Sequence, residues 1–290
     1  MSIENGYDID KLYDDNIVKK TGNFLRITSA HRIYPAFFIA GVQKGGTTSL
    51  CKYLEQHPQI ISPQRKDVYF FNNELNYAKG VEWYKSHFAH RLYKLWYDKV
   101  NGVDSITFDG TPNYFDAPEA PEKLYSDFPN AKVILLLRNP IDRAYSNYQM
   151  ACRFGFEKLS FERALELEDK RLEEESKYVA DCPYHSYVYQ RLTYRKRGVY
   201  IRYIKSWMNL FKDNLLVLKS EQLFLQPEIT FKLITNFLNL HGSYEIRFDI
   251  FNKGSYEAKM KSSTRKILSD FYKPYNEELY DFLNVNYEWD

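Results

Sequence analysis

Residues 41–49 read GVQKGGTTS, directly after the apolar run AFFIAG (36–41) and before the helical pattern TTSLCKYLEQHP (47–58). A glycine loop that opens onto a helix offers backbone N–H groups and the positive end of the helix dipole, which together form an anion site. The nucleoside-triphosphate loop runs G-x-x-x-x-G-K-[ST]. Here Gly41 and Gly46 hold the glycine positions and Thr48 the hydroxyl, but Thr47 stands where the lysine belongs. The lysine lies inside the loop, at Lys44. The chemistry predicted is therefore capture of a phosphorylated group by backbone amides, one mobile positive charge and the Thr47 and Thr48 hydroxyls.

A second set of residues follows the most apolar run of the chain, KVILLL (132–137), in RNPIDRAYSNY (138–148). Arg138 falls at the carboxyl end of a predicted strand, where α/β sheets place ligand contacts. Ser146 lies eight residues on, so the two could converge on one group only across the bend made by Asn139–Pro140. An arginine with a hydroxyl donor suits a dianionic phosphate; a cap on the sheet through a structural carboxylate is the alternative. Asp109 is the nearest candidate for a strand-terminal magnesium ligand, but a structural role fits it at least as well.

These residues need a frame. Four short apolar runs, 36–41, 105–110, 132–137 and 214–220, read as buried strands. Helical patterns lie at 47–58, 140–152, 160–177, 198–212 and 227–240. Strands alternating with helices predict an α/β fold: a single domain with a central parallel sheet flanked by helices and a P-loop-like strand–loop–helix. No repeat or linker divides the chain, so the domain spans 34–290 after an N-terminal extension, 1–33. The acidic side of 160–177 is expected to be solvated. The cationic stretch 191–205 is either a solvated helix face or a positive rim for an anionic ligand.

Composition narrows the function. With 44% hydrophobic residues, the 290-residue chain can bury a sizeable core. The 26 Tyr and 20 Phe supply that core, and could also line a pocket for a base or sugar. A net charge of +2 is too mild for a nucleic-acid binder. Three scattered cysteines, Cys51, Cys152 and Cys182, form neither a disulfide framework nor a metal site, which suits a reducing compartment. The acidic start MSIENGYDIDKLYDDN is unlike a signal peptide, and no apolar run is long enough to span a membrane. A soluble cytoplasmic protein is expected.

Five motifs occur in a telling order: KGGTTSL (44–50), KDVYFF (66–71), DGTPNYF (109–115), RNPIDRAYSNY and NKGSY (252–256). In this order they resemble the sulfotransferases that use 3′-phosphoadenosine 5′-phosphosulfate (PAPS), nearest to the heparan-sulfate type and its bacterial relatives. Further similarity in GVYIRYIKSW (198–207), SEQL (220–223) and FYKPYNEELYDFL (271–283) extends the resemblance over about 36–283. It implies PAPS as co-substrate, no metal, and in-line transfer of a sulfuryl group to a hydroxyl or amine of a saccharide or small natural-product acceptor. PAPS carries no γ-phosphoryl group, which accounts for a loop without the usual lysine.

The resemblance implies that Lys44, Gly45, Gly46, Thr47, Thr48 and Ser49 hold the phosphosulfate, with Lys44 stabilising charge on the leaving phosphate. It assigns Arg138 and Ser146 to the 3′-phosphate and has Lys253 and Gly254 close over the co-substrate. Asp67 of KDVYFF stands where the family has a glutamate base, and Tyr69 where it usually has a histidine. His185, in the CPYHSYVYQRL segment, is the substitute base, since an ordinary histidine titrates near neutral pH. The rival readings are a P-loop nucleotide kinase or NTPase and a sulfotransferase-like domain that binds nucleotide or glycan without turnover. The oligomeric state is left open.

Overall fold

The computed structural model describes residues 28–176, 186–242, 244–249, 251 and 259–289. Four parallel strands form one sheet in the order β2-β1-β3-β4: β1 (Pro35–Gly41), β2 (Thr107–Asp109), β3 (Lys132–Leu137) and β4 (Leu215–Lys219). Each expected strand is present: β1 begins one residue earlier than expected, β3 has the expected bounds, and β2 and β4 are shorter by a residue or two at each end. Between and after the strands run α1 (Thr47–Leu54), α2 (Arg91–Asn101), α3 (Ala120–Asp127), α4 (Pro140–Arg153), α5 (Phe161–Ser176), α6 (Tyr187–Leu192), α7 (Ile201–Phe211), α8 (Ser220–Leu225), α9 (Pro227–Leu238) and α10 (Ser262–Leu283).

Parallel strands covered on both faces are apolar on both, and the side chains alternate between two cores. Phe38, Ala40, Val133, Leu135 and Leu137 pack with Ile141 and Ala144 of α4, Trp207 of α7 and Tyr272 of α10. Phe37, Ile39, Ile134 and Leu136 face the other way, against Leu50 and Leu54 of α1 and Phe231 and Ile234 of α9. Much of the aromatic content is core: Phe70 stacks on Tyr84 at 4.6 Å, and Phe71 meets Tyr114 edge-on at 5.3 Å.

Two sequence expectations change here. The acidic side of α5 is not wholly solvated, because Glu168 is completely buried and accepts from the backbone N–H groups of Tyr194, Arg195 and Lys196. Three backbone donors replace the water that a buried carboxylate loses. The stretch 191–205 is not one helix. It breaks at Thr193 and passes through a 3₁₀ turn (Lys196–Gly198) before α7 begins. Arg195 and Lys196 pair with Asp169, and Arg197 is buried against Asp116.

Candidate active site

The loop between β1 and α1 is fixed by its glycines and by bonds to its carbonyls. The Val42 N–H donates to the Leu136 carbonyl at 3.1 Å, so β1 and β3 stay paired into the loop. A Cβ at Gly45 would lie 2.4 Å from that same Leu136 oxygen. Gly46 caps α1 with φ +91°, in the left-handed region, and a Cβ there would meet the Phe224 ring at 2.9 Å. Only glycine satisfies both demands. Arg138 donates to the Lys44 carbonyl at 3.0 Å, and the Ser220 hydroxyl to the Gly45 carbonyl at 2.7 Å. Two carbonyl oxygens that would repel an anion are thereby engaged.

Lys44 itself has φ +72°. Left-handed backbone costs a residue with a Cβ about 1–2 kcal/mol, and such strain concentrates at functional sites. Burial first, and then the positive charges of Arg153, Arg138, Arg143 and Lys66, together lower the Lys44 ammonium to about 8. Its Nζ lies 3.9 Å from the Met150 sulfur. Arg143 is 99% sequestered from solvent; one nitrogen donates to the Tyr194 carbonyl, while its buried Nε has no partner. Five cations gathered at a glycine loop repel one another, and a polyanion would relieve that repulsion.

The hydroxyls around the loop have different surroundings. Thr47 and Ser49 are buried, and Ser49 Oγ accepts from the Phe251 N–H at 3.2 Å. Thr48 Oγ1 accepts from Lys66 Nζ at 2.9 Å. Ser146 is buried on α4, whose start is fixed by Asn139: its side chain accepts from the Ile141 N–H at 2.9 Å, and Pro140 takes the first helical position.

The segment that carries Asp67 hangs from the end of β2. Asp109 is fully buried and accepts from Tyr84 Oη at 2.8 Å, Tyr114 Oη at 2.8 Å and Thr111 Oγ1 at 2.6 Å. Thr111 Oγ1 in turn accepts from the Val68 N–H, and Tyr114 Oη from the Phe70 N–H. Asp109 is thus committed to a scaffold that grips the chain on both sides of Tyr69, the structural role weighed for it from sequence. Burial raises its carboxyl to about 6 against the three hydroxyls that lower it, and nearby Asp67 adds to the rise. Burial also raises Asp67, while Lys66 and Arg65 pull it down. Tyr69 sits at φ +54°, a second left-handed residue with a Cβ at the site.

Lys44, Gly45, Gly46, Thr47, Thr48, Ser49 and Arg138 therefore share one loop and its rim, and Lys66 joins that loop to Asp67. Arg138 and Ser146 lie at the start and in the middle of the same turn-and-helix unit. His185, Lys253 and Gly254 fall outside the described residues. Sequence reasoning did not single out Ser220, Arg143 or the binding role open to Lys66. For Lys66 and Ser220 the signal was available, since they begin KDVYFF and SEQL. Among the described residues no His, Cys, Asp and Glu side chains form a metal-holding cluster.

Comparison with known proteins supplies the family. A model of the sulfotransferase domain matches residues 35–278. The chain is similar to heparan sulfate glucosamine 3-O-sulfotransferase 5 of Mus musculus, at 26% identity over 286 residues, covering 88% of this chain and 74% of the relative. It is 30% identical over 290 residues to bifunctional heparan sulfate N-deacetylase/N-sulfotransferase 4 of Mus musculus, covering 86% of this chain and 30% of that longer protein. The crystal structure of a sulfotransferase from Alicyclobacillus acidocaldarius superposes with a TM-score of 0.67 at 25% identity, covering 88% of this chain and 97% of that one. With a family match over most of its length and the same overall fold as a solved sulfotransferase, the chain belongs to the sulfotransferase-domain family.

Proposed function

We propose that this transferase moves the sulfuryl group of PAPS to a hydroxyl or amine of a saccharide or small natural-product acceptor. One observation carries the reading: the positive charges of Lys66, Arg138, Arg143 and Arg153 all bear on Lys44 in the glycine loop. A bisphosphorylated nucleotide matches that charge. The donor supplies an activated sulfuryl group on a phosphate leaving group. Lys44 and the loop amides hold that phosphate and stabilise the charge it gains, and Arg138 with Ser146 takes the 3′-phosphate. The buried, unpartnered Arg143 Nε is a further donor suited to an anion.

Asp67 takes the acceptor proton. Its raised pKa makes it a better base than an ordinary aspartate, and its chain neighbour Lys66 donates to the loop hydroxyl of Thr48. The saccharide class is supported by the heparan sulfate relatives and by Arg65 and Arg153, which extend the positive charge beyond the loop. The test is turnover of PAPS with EDTA present, against glucosamine-containing oligosaccharides and small hydroxylated acceptors, with mass detection of the added sulfuryl group. Release of adenosine 3′,5′-bisphosphate together with a sulfated acceptor is expected. Magnesium-dependent turnover of ATP with none of PAPS would overturn the reading.

A further inference from the structure

Helix α2 is amphipathic in the reverse of the usual sense. A surface helix normally turns its apolar stripe inward and its charges to water. In α2 no residue is buried, and Leu92, Leu95, Trp96 and Val100 are each 58–70% exposed, with Tyr93 beside them at 46%. At 100° per residue these five side chains occupy one continuous outward arc. The polar side faces the protein: Lys94 pairs with Asp98 at 2.5 Å and with Asp104 at 2.6 Å. Asp98 also accepts from the Ser105 N–H at 3.0 Å and from the Ser105 hydroxyl. Tyr93 and Trp96 lie with ring centroids 5.7 Å apart on the outside.

The charges sort in the same way. Both acids of this segment are held by Lys94, whereas the exposed Arg91, at one edge of the apolar arc, and Lys99, within it between Leu95 and Leu92, have no carboxylate partner among the described residues. The outward face therefore combines leucine, valine, tryptophan and tyrosine with two free cations and no free acid. An interfacial helix needs that combination: apolar and ring side chains seated at the headgroup–acyl boundary, with long cationic side chains reaching the lipid phosphates. No helix of the described residues is long and apolar enough to cross a membrane, so the geometry fits lying on a bilayer.

We propose that α2 docks this protein on an anionic lipid surface, with Leu92, Leu95, Trp96 and Val100 seated in the interface and Arg91 and Lys99 on lipid phosphates. The proposal is independent of the donor chemistry, because none of these residues belongs to the loop or its rim. The experiment is co-sedimentation of the full chain with vesicles of phosphatidylcholine doped with phosphatidylglycerol, and with vesicles of phosphatidylcholine alone. Binding to the doped vesicles is expected to exceed binding to the neutral ones. Arg91→Gln with Lys99→Gln should reduce it by roughly 30-fold, from about 1 kcal/mol per cation at an anionic surface. Leu95→Glu with Trp96→Glu should reduce it by at least about tenfold. All four side chains are exposed, so melting temperature should hold and serves as the folding control. Absence of vesicle binding, or equal binding by the wild type and both variants, overturns the proposal. A dimer in sedimentation velocity that Leu95→Glu/Trp96→Glu splits, without vesicle binding, would overturn it too and give the face to a second copy of the chain.

Discussion

The guanidinium of Arg138 donates to the main-chain carbonyl of Lys44 at 3.0 Å across a separation of 94 residues. One side chain at the end of β3 thus shapes the loop at the end of β1 while keeping other donors for a ligand. Arg138→Ala should weaken binding of adenosine 3′,5′-bisphosphate by about tenfold or more, the scale of a charge-assisted hydrogen bond to phosphate. Binding of adenosine 5′-monophosphate should fall less, and only through the loosened loop. Calorimetric titration of both nucleotides decides it; equal losses would remove Arg138 from the 3′ site.

Lys44 makes binding depend on pH. In the free protein its ammonium titrates near 8, and a bound polyanion favours the charged form. Nucleotide affinity should therefore be full below about pH 8 and decline above it, with proton uptake on binding. The stability of the free protein moves in the opposite sense. The folded value lies below the ordinary 10.5, so unfolding takes up a proton between about 8 and 10.5. The penalty of charging a buried lysine applies fully below that window and fades as pH rises through it. Lys44→Met should flatten both profiles, measured by calorimetry and by thermal melting. Lys44→Ala should lower turnover by roughly 10²–10³, more than it lowers affinity for the bisphosphate.

Asp67→Asn keeps the shape of the acid and removes its basicity. Turnover should fall by roughly 10²–10⁴, the range for loss of a general base, with nucleotide binding nearly intact. Single-turnover kinetics alongside a nucleotide titration separates the two effects. Should Asp67→Asn retain most activity while His185→Ala is inactive, the base is the histidine.

Gly45→Ala tests the seat of the loop. The added methyl would stand 2.4 Å from the Leu136 carbonyl oxygen and 2.9 Å from that of Val42, both main-chain atoms of packed segments. The clash should cost about 2–4 kcal/mol of stability and displace the amides that would face a phosphate. Denaturant unfolding and nucleotide titration should both register it. A variant as stable as wild type with normal nucleotide affinity would show that the loop can shift at no cost.

The sequence by itself determined the α/β class, the four strands and the loop, because each depends on a local pattern. A short apolar run, glycines where a chain turns into a helix, and Asn139–Pro140 ahead of α4 act within a few residues of themselves. The tertiary structure decided which distant groups meet. The strand order β2-β1-β3-β4 brings the ends of β1 and β3 together, so Arg138 reaches Lys44, and only the end of β2 shows Asp109 suspending the Asp67 segment through Thr111 and Tyr114. Glu168 looked solvated because its neighbours in sequence are acidic; the three N–H groups that bury it come from residues 194–196. The orientation of α2 was beyond any local pattern. Periodicity shows that a helix has an apolar side, but the side that faces the protein depends on the partners that packing supplies. In α2 the inward side is the one on which Lys94 finds Asp104 and Asp98 finds Ser105.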